Sequence, residues 1–237
     1  MTDHEDPVEI FLNNYNDIYT IFPNINNNNY RLTNISLFSS ANISQSQYTI
    51  EILQSYFNTN QLNNMTISDL SSCIGGNTWT FSKIFKLVYA NEISSLHNDI
   101  LIHNMNSLKL YNINYSQQNA IDVLPKIKAD IIFIDPPWSP NIGYTKDNVF
   151  YDIYSLLNIP NILSKHMIIL KLPKYFIFDS NSIIEFFSSI VIYPFVDKYN
   201  NLVYNTIVLS KTSPINFFNQ KYINRVNYKN IKFKKKS

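Results

Sequence analysis

Short apolar runs alternate with segments of helical spacing along the middle of the chain. Apolar residues recur at Phe81, Ile84 and Phe85, the spacing of one helix face, and a second helical stretch covers 94–111. The apolar runs predict seven strands, within 67–69, 85–94, 113–119, 129–137, 166–173, 189–199 and 201–211. Strands that alternate with helices at this pitch predict a parallel α/β sheet, which binds ligands at the carboxyl ends of its strands.

The organisation around this sheet divides the chain into three parts. The last two predicted strands meet at Asn200 and Asn201, and so short a connection predicts an antiparallel hairpin. We expect residues 1–60 to form a helical extension, residues 61–213 to form the α/β core, and residues 214–237 to form a basic tail. The tail's charge run, "KNIKFKKKS", is typical of a solvated segment, with attraction to an RNA backbone as the salt-sensitive alternative.

Polar residues lie where the predicted strands end. The stretch "IIFIDPPWSP" (131–140) places Asp135, a rigid prolyl corner and Trp138 directly after an apolar run. Gly75 and Gly76 lie between the first strand and the first helix, in a chain that has only three glycines. A strand-to-helix turn that presses its backbone against a ligand needs glycine there. A second strand ends in Glu92, where a carboxylate suits the ribose of a nucleotide-type ligand.

Composition narrows the class of protein. The chain has 237 residues, 45% of them hydrophobic, which suits one substantial core. One cysteine excludes an internal disulfide and any zinc site built from cysteines, and His97, His103 and His166 have no metal-ligand company, so no metal is expected. A secretory signal and a membrane span are both missing from the sequence pattern, which predicts a soluble intracellular protein that has no membrane partner. Scarce glycine and abundant Asn, Ile and Lys indicate A+T-rich coding, as in a virus or parasite.

The architecture and the motifs resemble the class I methyltransferases that use S-adenosylmethionine. "DPPW" matches the signature of enzymes that methylate exocyclic or amide nitrogens, and it follows the fourth strand, as in those enzymes. The narrower resemblance is to the trimethylguanosine synthase family, which methylates N2 of the 7-methylguanosine RNA cap. It covers roughly residues 30–211 and is carried by "LFSSANISQSQYTIEIL" (37–53), "GGNT" (75–78), "KADIIFIDPPWSP" (128–140) and "LKLPK" (170–174). The composition suggests a member from a giant DNA virus.

The resemblance implies a cofactor site for S-adenosylmethionine. Asp69 would receive the methionine ammonium, Glu92 would hold the ribose, and Asn119, where the family commonly has Asp, could contact the adenine amine. The implied cofactor-binding residues are Asp69, Gly75, Gly76, Asn77, Thr78, Glu92, Asn119 and Asp135.

The resemblance also implies a catalytic group formed by Asp135, Pro136 and Trp138. An exocyclic amine has its lone pair delocalised into the ring, so the enzyme must align that nitrogen with the methyl donor and accept a hydrogen bond from it. Asp135 and the Pro136 carbonyl suit that role, and Trp138 would stack on the positively charged 7-methylguanine. A role for Trp138 in the core is the alternative.

The remaining implied contacts are with capped RNA, the expected partner. Lys171 and Lys174 would bind the cap phosphates, and Asn104 would contact the substrate. An equally good interpretation is that Lys171 and Lys174 are solvated lysines that flank a strand. The N-terminal extension is expected to contribute to the substrate site. A monomer is favoured, and the choice between the virion and the host cytoplasm stays open.

Four positions depart from the family pattern and keep other functions open. The family usually has Ser at Asp135, Gly at Cys73 and Arg at Lys174, in addition to Asp at Asn119. Because adenine-N6 methyltransferases carry Asp at the Asp135 position, adenine methylation of DNA or RNA is the second hypothesis. A catalytically silent, methyltransferase-like binding module is the third, and the intact "DPPW" and "GGNT" motifs argue against it.

Overall fold

The computed structural model describes residues 8–10, 18–23, 29–136, 157, 165–174 and 184–215. Its N-terminal part contains β1 (Glu9–Ile10), α1 (Ile18–Ile21), β2 (Leu32–Thr33), α2 (Ser36–Ser39), α3 (Ile43–Gln54) and α4 (Thr59–Asn64). The strands β1 and β2 pair antiparallel as a small separate sheet, a feature that the expectation of a helical extension did not include. No helix within the described ranges is long and apolar enough to cross a membrane.

Asparagine begins both of the longer N-terminal helices. The Asn42 side chain accepts a hydrogen bond from the Gln45 N–H, and the Gln45 side chain accepts one from the Asn42 N–H. Asn58 and Gln61 repeat this reciprocal capping at α4. An Asn-x-x-Gln spacing satisfies two backbone donors that a helix start otherwise leaves unpaired, so local sequence fixes where α3 and α4 begin.

The core continues with strands and helices in alternation. These elements are β3 (Thr66–Asp69), α5 (Gly76–Ser82), β4 (Leu87–Asn91), α6 (Ser95–Ser107), β5 (Ile113–Ser116), α7 (Ala120–Val123), β6 (Ile131–Ile134), β7 (Met167–Pro173), β8 (Ser189–Val196) and β9 (Leu202–Ser210). Short 3-10 helices lie at Leu124–Lys126 and Ile184–Phe186.

Seven strands form one sheet in the order β5-β4-β3-β6-β7-β9-β8. The five strands from β5 to β7 are parallel, and β9 pairs antiparallel with both β7 and β8. The strand order reverses between β3 and β6, the topological switch point at which doubly wound sheets bind their ligands. The predicted fold class is confirmed.

Both faces of the sheet are covered, which explains why its central strands are almost wholly apolar. In β6, Ile131 and Phe133 pack into one hydrophobic cluster while Ile132 and Ile134 pack into another. The first cluster includes residues of α1, α3, α5 and α6, and the second includes residues of α7 and the 3-10 helix that follows it. Alternate side chains of a strand point to opposite faces, so a doubly buried strand has no polar face and appears in the sequence as a continuous apolar run.

Two element boundaries differ from the sequence expectation. The final strands do not meet at Asn200 and Asn201: β8 ends at Val196 and β9 begins at Leu202. The Asp197 carboxylate accepts hydrogen bonds from the N–H groups of Tyr199 and Asn201, which closes a longer turn in which Asn200 has φ +68°. The helical stretch predicted for 94–111 ends at Ser107, because Lys109 adopts φ +55° and reverses the chain.

Candidate functional site

The candidate site lies at the carboxyl ends of the parallel strands next to the switch point. Asp69 is the last residue of β3, Glu92 directly follows β4, and Asp135 directly follows β6. Lys171 is on the neighbouring strand β7. Three predicted carboxylates and one predicted lysine therefore share one edge of the sheet, and they come from four different strands.

The loop between β3 and α5 is shaped by unusual backbone geometry. Gly75 has φ +107° and Cys73 has φ +48°, in the left-handed region that glycine adopts most easily. The structure thus gives a physical reason for the glycine that the resembling family usually has at position 73. The Cys73 N–H donates to Glu92 Oε2 (2.8 Å), and the Ser94 N–H donates to Glu92 Oε1 (2.9 Å). Glu92 therefore ties the ends of β3 and β4 together.

Backbone conformation favours glycine at position 75, and close packing against the backbone requires it at position 76. A Cβ on Gly75 would lie 2.6 Å from the Met105 methyl carbon and 2.9 Å from a Leu101 methyl carbon. A Cβ on Gly76 would collide with the carbonyl oxygen of Ala41, just before α3. Contact between these glycines and the cofactor stays a prediction, whereas their contact with α6 and with the N-terminal extension is a feature of the structure.

Asp69 is fully buried, and its two oxygens have different surroundings. The Thr78 hydroxyl donates to Asp69 Oδ2 (2.7 Å), whereas Oδ1 makes no hydrogen bond to any residue that the structure describes. The pKa of Asp69 is raised from 3.8 to about 7: burial is the largest cause, the Thr78 hydrogen bond opposes it, and the charges of Asp135 and Glu92 add to the rise. A buried carboxylate oxygen without a partner favours a cationic ligand.

Asp135 and Lys171 form a buried ion pair. Lys171 Nζ lies 2.7 Å from Asp135 Oδ2, and their side chains are 6% and 9% exposed. The ammonium also lies 4.9 Å from the centroid of the Tyr204 ring on β9, and Tyr204 stacks on Phe195 of β8 with 4.6 Å between centroids. In this structure the charge of Lys171 is directed at Asp135 inside the protein, and its contact with the cap phosphates stays a prediction.

The Asp135 backbone is also fixed. The Ser71 hydroxyl donates to the Asp135 carbonyl (2.6 Å) and lies 3.2 Å from the Asp135 N–H, which can donate to it. Asn91 has a similar role beside it: its amide donates to the carbonyls of Leu70 and Gln118 and accepts from the Ser116 hydroxyl. Neither residue stands out in the sequence, because serine and asparagine are abundant throughout this chain.

Several predicted contact residues have structural partners instead. Asn104 is fully buried, its amide nitrogen donates to the carbonyls of Arg31 and Ile74, and its oxygen accepts from the Arg31 N–H. No part of this amide reaches the surface in the structure, and its contact with the substrate stays a prediction. The Asn77 oxygen accepts from the Ser46 hydroxyl (3.1 Å), which joins α5 to α3.

The other predicted residues lie at the surface or outside the described ranges. Asn119 is exposed and caps α7 by accepting a hydrogen bond from the Ile121 N–H. Lys174 is exposed just beyond β7, on the same edge as Asp135. Pro136 is half-buried, whereas Trp138 lies outside the described residues. Neither Asn119 nor Lys174 is excluded from ligand contact by its position.

The N-terminal extension approaches this edge of the sheet. The Ser39 hydroxyl lies 3.5 Å from the Cys73 sulfur, and the Ser46 hydroxyl donates to the Gly76 carbonyl (3.3 Å). Phe38, next to Ser39, is 90% exposed. The chain before the core therefore contacts the loop between β3 and α5 directly and presents an aromatic side chain to solvent beside it.

Comparison with known proteins agrees with this geometry. Residues 64–188, more than half of the chain, match the model of the RNA cap guanine-N2 methyltransferase family. The chain belongs to this cap guanine-N2 methyltransferase family. The predicted family membership is confirmed, and the matched residues contain β3 to β7, Asp69, Glu92 and Asp135.

One relative of this chain is a viral protein. An uncharacterized protein of Acanthamoeba polyphaga mimivirus is 30% identical over 129 residues, which are 50% of each chain. Our chain thus spans about half the length of the curated relative that it matches. A viral relative agrees with the source that the composition suggests.

Several solved structures resemble this chain in fold. The guanine-N2 16S rRNA methyltransferase RsmC of Thermus thermophilus, in complex with AdoMet and guanosine, has a TM-score of 0.58 at 14% identity, over 77% of this chain and 47% of that one. An rRNA methylase from Streptococcus thermophilus has a TM-score of 0.51 at 10% identity, over 73% of this chain and 100% of that one. At these identities the likeness supports the methyltransferase fold alone.

Proposed function

We propose that this chain transfers a methyl group from S-adenosylmethionine to the exocyclic N2 of guanine in a 7-methylguanosine RNA cap, giving a dimethyl- or trimethylguanosine product. The observation that carries the proposal is the match of residues 64–188 to the cap guanine-N2 family over the same segment that brings Asp69, Glu92 and Asp135 to one edge of the sheet. Capped RNA follows as the partner.

The residues at the strand ends fit the proposed cofactor. The buried Asp69 Oδ1 suits the methionine ammonium, because a cation would compensate a carboxylate oxygen that no described residue satisfies. Glu92 is positioned to hold the ribose, since a carboxylate with two backbone donors keeps acceptor capacity for a hydroxyl. Thr78 acts through Asp69, which it orients. When bound, S-adenosylmethionine supplies an electrophilic methyl group.

Asp135 is the residue that we assign to the target nitrogen. Its carboxylate would accept a hydrogen bond from the N2 amine, which localises the nitrogen lone pair and orients it towards the methyl donor. Lys171 compensates the carboxylate's charge inside the protein, and Ser71 fixes the backbone that carries it. Trp138 would stack on the cationic base, and Lys174, at the surface of the same edge, is a candidate for the cap phosphates.

The test offers methyl-labelled cofactor together with 7-methylguanosine diphosphate, guanosine diphosphate or an adenine-containing oligonucleotide. We expect label transfer to the first and none to the second, because only the methylated base is positively charged and can form a cation–π contact with Trp138. Equal rates on the two guanosine nucleotides would contradict the proposal. Label on the oligonucleotide alone would establish the adenine-N6 alternative, which Asp135 keeps open.

A further inference from the structure

The edge of the sheet opposite to the candidate site has a strong positive charge. Lysines lie just before the amino ends of four parallel strands and just after β9, which ends at that edge because it is antiparallel to β7. These lysines are Lys83 and Lys86 before β4, Lys109 before β5, Lys126 and Lys128 before β6, Lys165 before β7, and Lys211 after β9. We call this set the amino-edge lysines.

Hydrogen bonds join the chain segments that carry these lysines to their neighbours. The Lys86 N–H donates to the Met65 carbonyl and the Lys211 N–H donates to the His166 carbonyl, both at 3.0 Å. The Lys165 ammonium donates to the Ile127 carbonyl (3.0 Å), which links the approaches to β6 and β7. The backbones of Lys86 and Lys211 and the ammonium of Lys165 are therefore fixed at this edge. Six of the seven lysines are exposed and Lys165 is half-buried.

Few carboxylates in the described part of the chain offset this charge. Asp130 and Glu185 lie at the same edge, and Asp130 accepts hydrogen bonds from the Thr66 N–H and hydroxyl. At the opposite edge the described residues include Asp69, Glu92, Asp135 and Asp197, together with Lys171, Lys174 and Lys198. Among the described residues of the core, lysines are thus concentrated at the edge away from the candidate site.

Two adjoining clefts lie within this edge. One, of about 300 Å³, is lined by Lys128, Ala129, Asp130, Lys165 and His166. The other, of about 450 Å³, shares Asp130 and His166 and is also lined by Phe57, Met65 and the α4 amides of Asn60, Gln61 and Asn64. Lysines beside uncharged amides suit a ligand that has phosphates together with hydrogen-bonding groups, and this describes RNA better than it describes an acidic protein.

We propose that the amino-edge lysines bind the phosphate backbone of the RNA body downstream of the cap. The inference rests on the proposed function in taking capped RNA as the substrate. Asp130 and Asp135 are five residues apart along β6, which corresponds to roughly 17 Å at about 3.3 Å per residue. Because helices cover both faces of the sheet, an RNA whose cap lies at the carboxyl edge would need a single-stranded path longer than this to reach the surface, and a cap nucleotide alone would not contact it.

The test compares the natural chain with the triple variant Lys86→Gln, Lys126→Gln, Lys128→Gln. Two observables are followed: KM for a capped 30-nucleotide RNA, and affinity for the same RNA without a cap, each over a range of salt concentrations. We expect the triple variant to lose about 2 from the slope of log affinity against log salt, since each phosphate contact on a single strand contributes roughly 0.7, and therefore to bind both RNAs about a hundredfold more weakly at 0.1 M salt. Its kinetics on 7-methylguanosine diphosphate should not change.

Matched controls separate charge from other effects. The variant with arginine at the same three positions should keep the natural affinity and salt slope, and Lys198→Gln on the β8–β9 turn should change neither. A triple glutamine variant with unchanged RNA affinity and slope would overturn the inference, as expected if the surface serves an acidic protein instead. Because binding of uncapped RNA requires no methyl transfer, loss of the proposed function would leave this test intact.

Discussion

Replacing Lys171 by methionine tests whether the buried pair at the candidate site behaves as a unit. Methionine keeps most of the unbranched aliphatic stem but removes the ammonium that lies 2.7 Å from Asp135 Oδ2. The change also removes the contact with the Tyr204 ring. The Asp135 side chain is 9% exposed, so its charge would then be buried without the cation that compensates it in the natural chain.

The expected cost follows from this burial. Removing one partner of a buried ion pair typically lowers the free energy of unfolding by about 3–5 kcal/mol. For a chain of this size, each kcal/mol corresponds to roughly 2–4 °C, so Lys171→Met should lower Tm by about 6–20 °C. Asp135→Ser should cost a similar amount, because it leaves the buried ammonium. The double variant removes both charges and should unfold within about 2 kcal/mol of the natural protein.

Chemical denaturation of the natural protein, both single variants and the double variant at pH 7.5 completes the cycle. We expect the two losses to be strongly non-additive, with a coupling of at least about 2 kcal/mol. The double variant should also methylate cap nucleotide faster than Asp135→Ser, since serine can accept the amine hydrogen bond once no buried charge faces it. Additive losses in the free energy of unfolding would refute the coupling between Asp135 and Lys171. A loss below about 1 kcal/mol in either single variant would refute it as well.

Three further predictions concern Asp69 in the proposed cofactor site, Gly76 in the loop between β3 and α5, and Trp138. Because the pKa of Asp69 is raised to about 7 from 3.8, the folded protein takes up a proton as pH falls between these values. Stability should therefore rise over that range while S-adenosylmethionine affinity measured by calorimetry falls, by up to tenfold per pH unit, and Asp69→Asn should bind weakly at every pH. Gly76→Ala should cost about 1–3 kcal/mol in thermal unfolding by pushing Ala41 away, and an unchanged Tm would contradict that packing. Trp138→Ala should abolish methylation but keep cofactor affinity in the same titration, whereas parallel loss of both would assign Trp138 to the core.

The strands of the sheet and the starts of two helices were predictable because local sequence patterns mark them. Doubly buried strands such as β6 are continuous apolar runs, and Asn-x-x-Gln capping marks the start of α3 and α4. The common location of Asp69, Glu92 and Asp135 was predictable for a related reason. Each lies at the end of a strand, and parallel strands end at one edge of the sheet. Local pattern and topology together are sufficient for such residues.

The role of Lys171 was not predictable in the same way. Its position at the end of an apolar strand is compatible with solvent, with phosphate or with a buried partner, and only the pairing of β6 with β7 brings it to Asp135. Asn104 raises the same difficulty, because its partners at Arg31 and Ile74 are 73 and 30 residues away in the chain. Such partners depend on tertiary packing, which a single sequence does not encode locally.

The position of the transferred methyl group tests the central proposal most directly. A 7-methylguanosine-capped RNA that contains internal adenines is incubated with labelled S-adenosylmethionine, digested to nucleosides and separated by chromatography with mass detection. We predict that all of the label appears in 2,7-dimethylguanosine or 2,2,7-trimethylguanosine and that Asp135→Ala abolishes it. Label in N6-methyladenosine, with none in the cap nucleoside, would contradict the account.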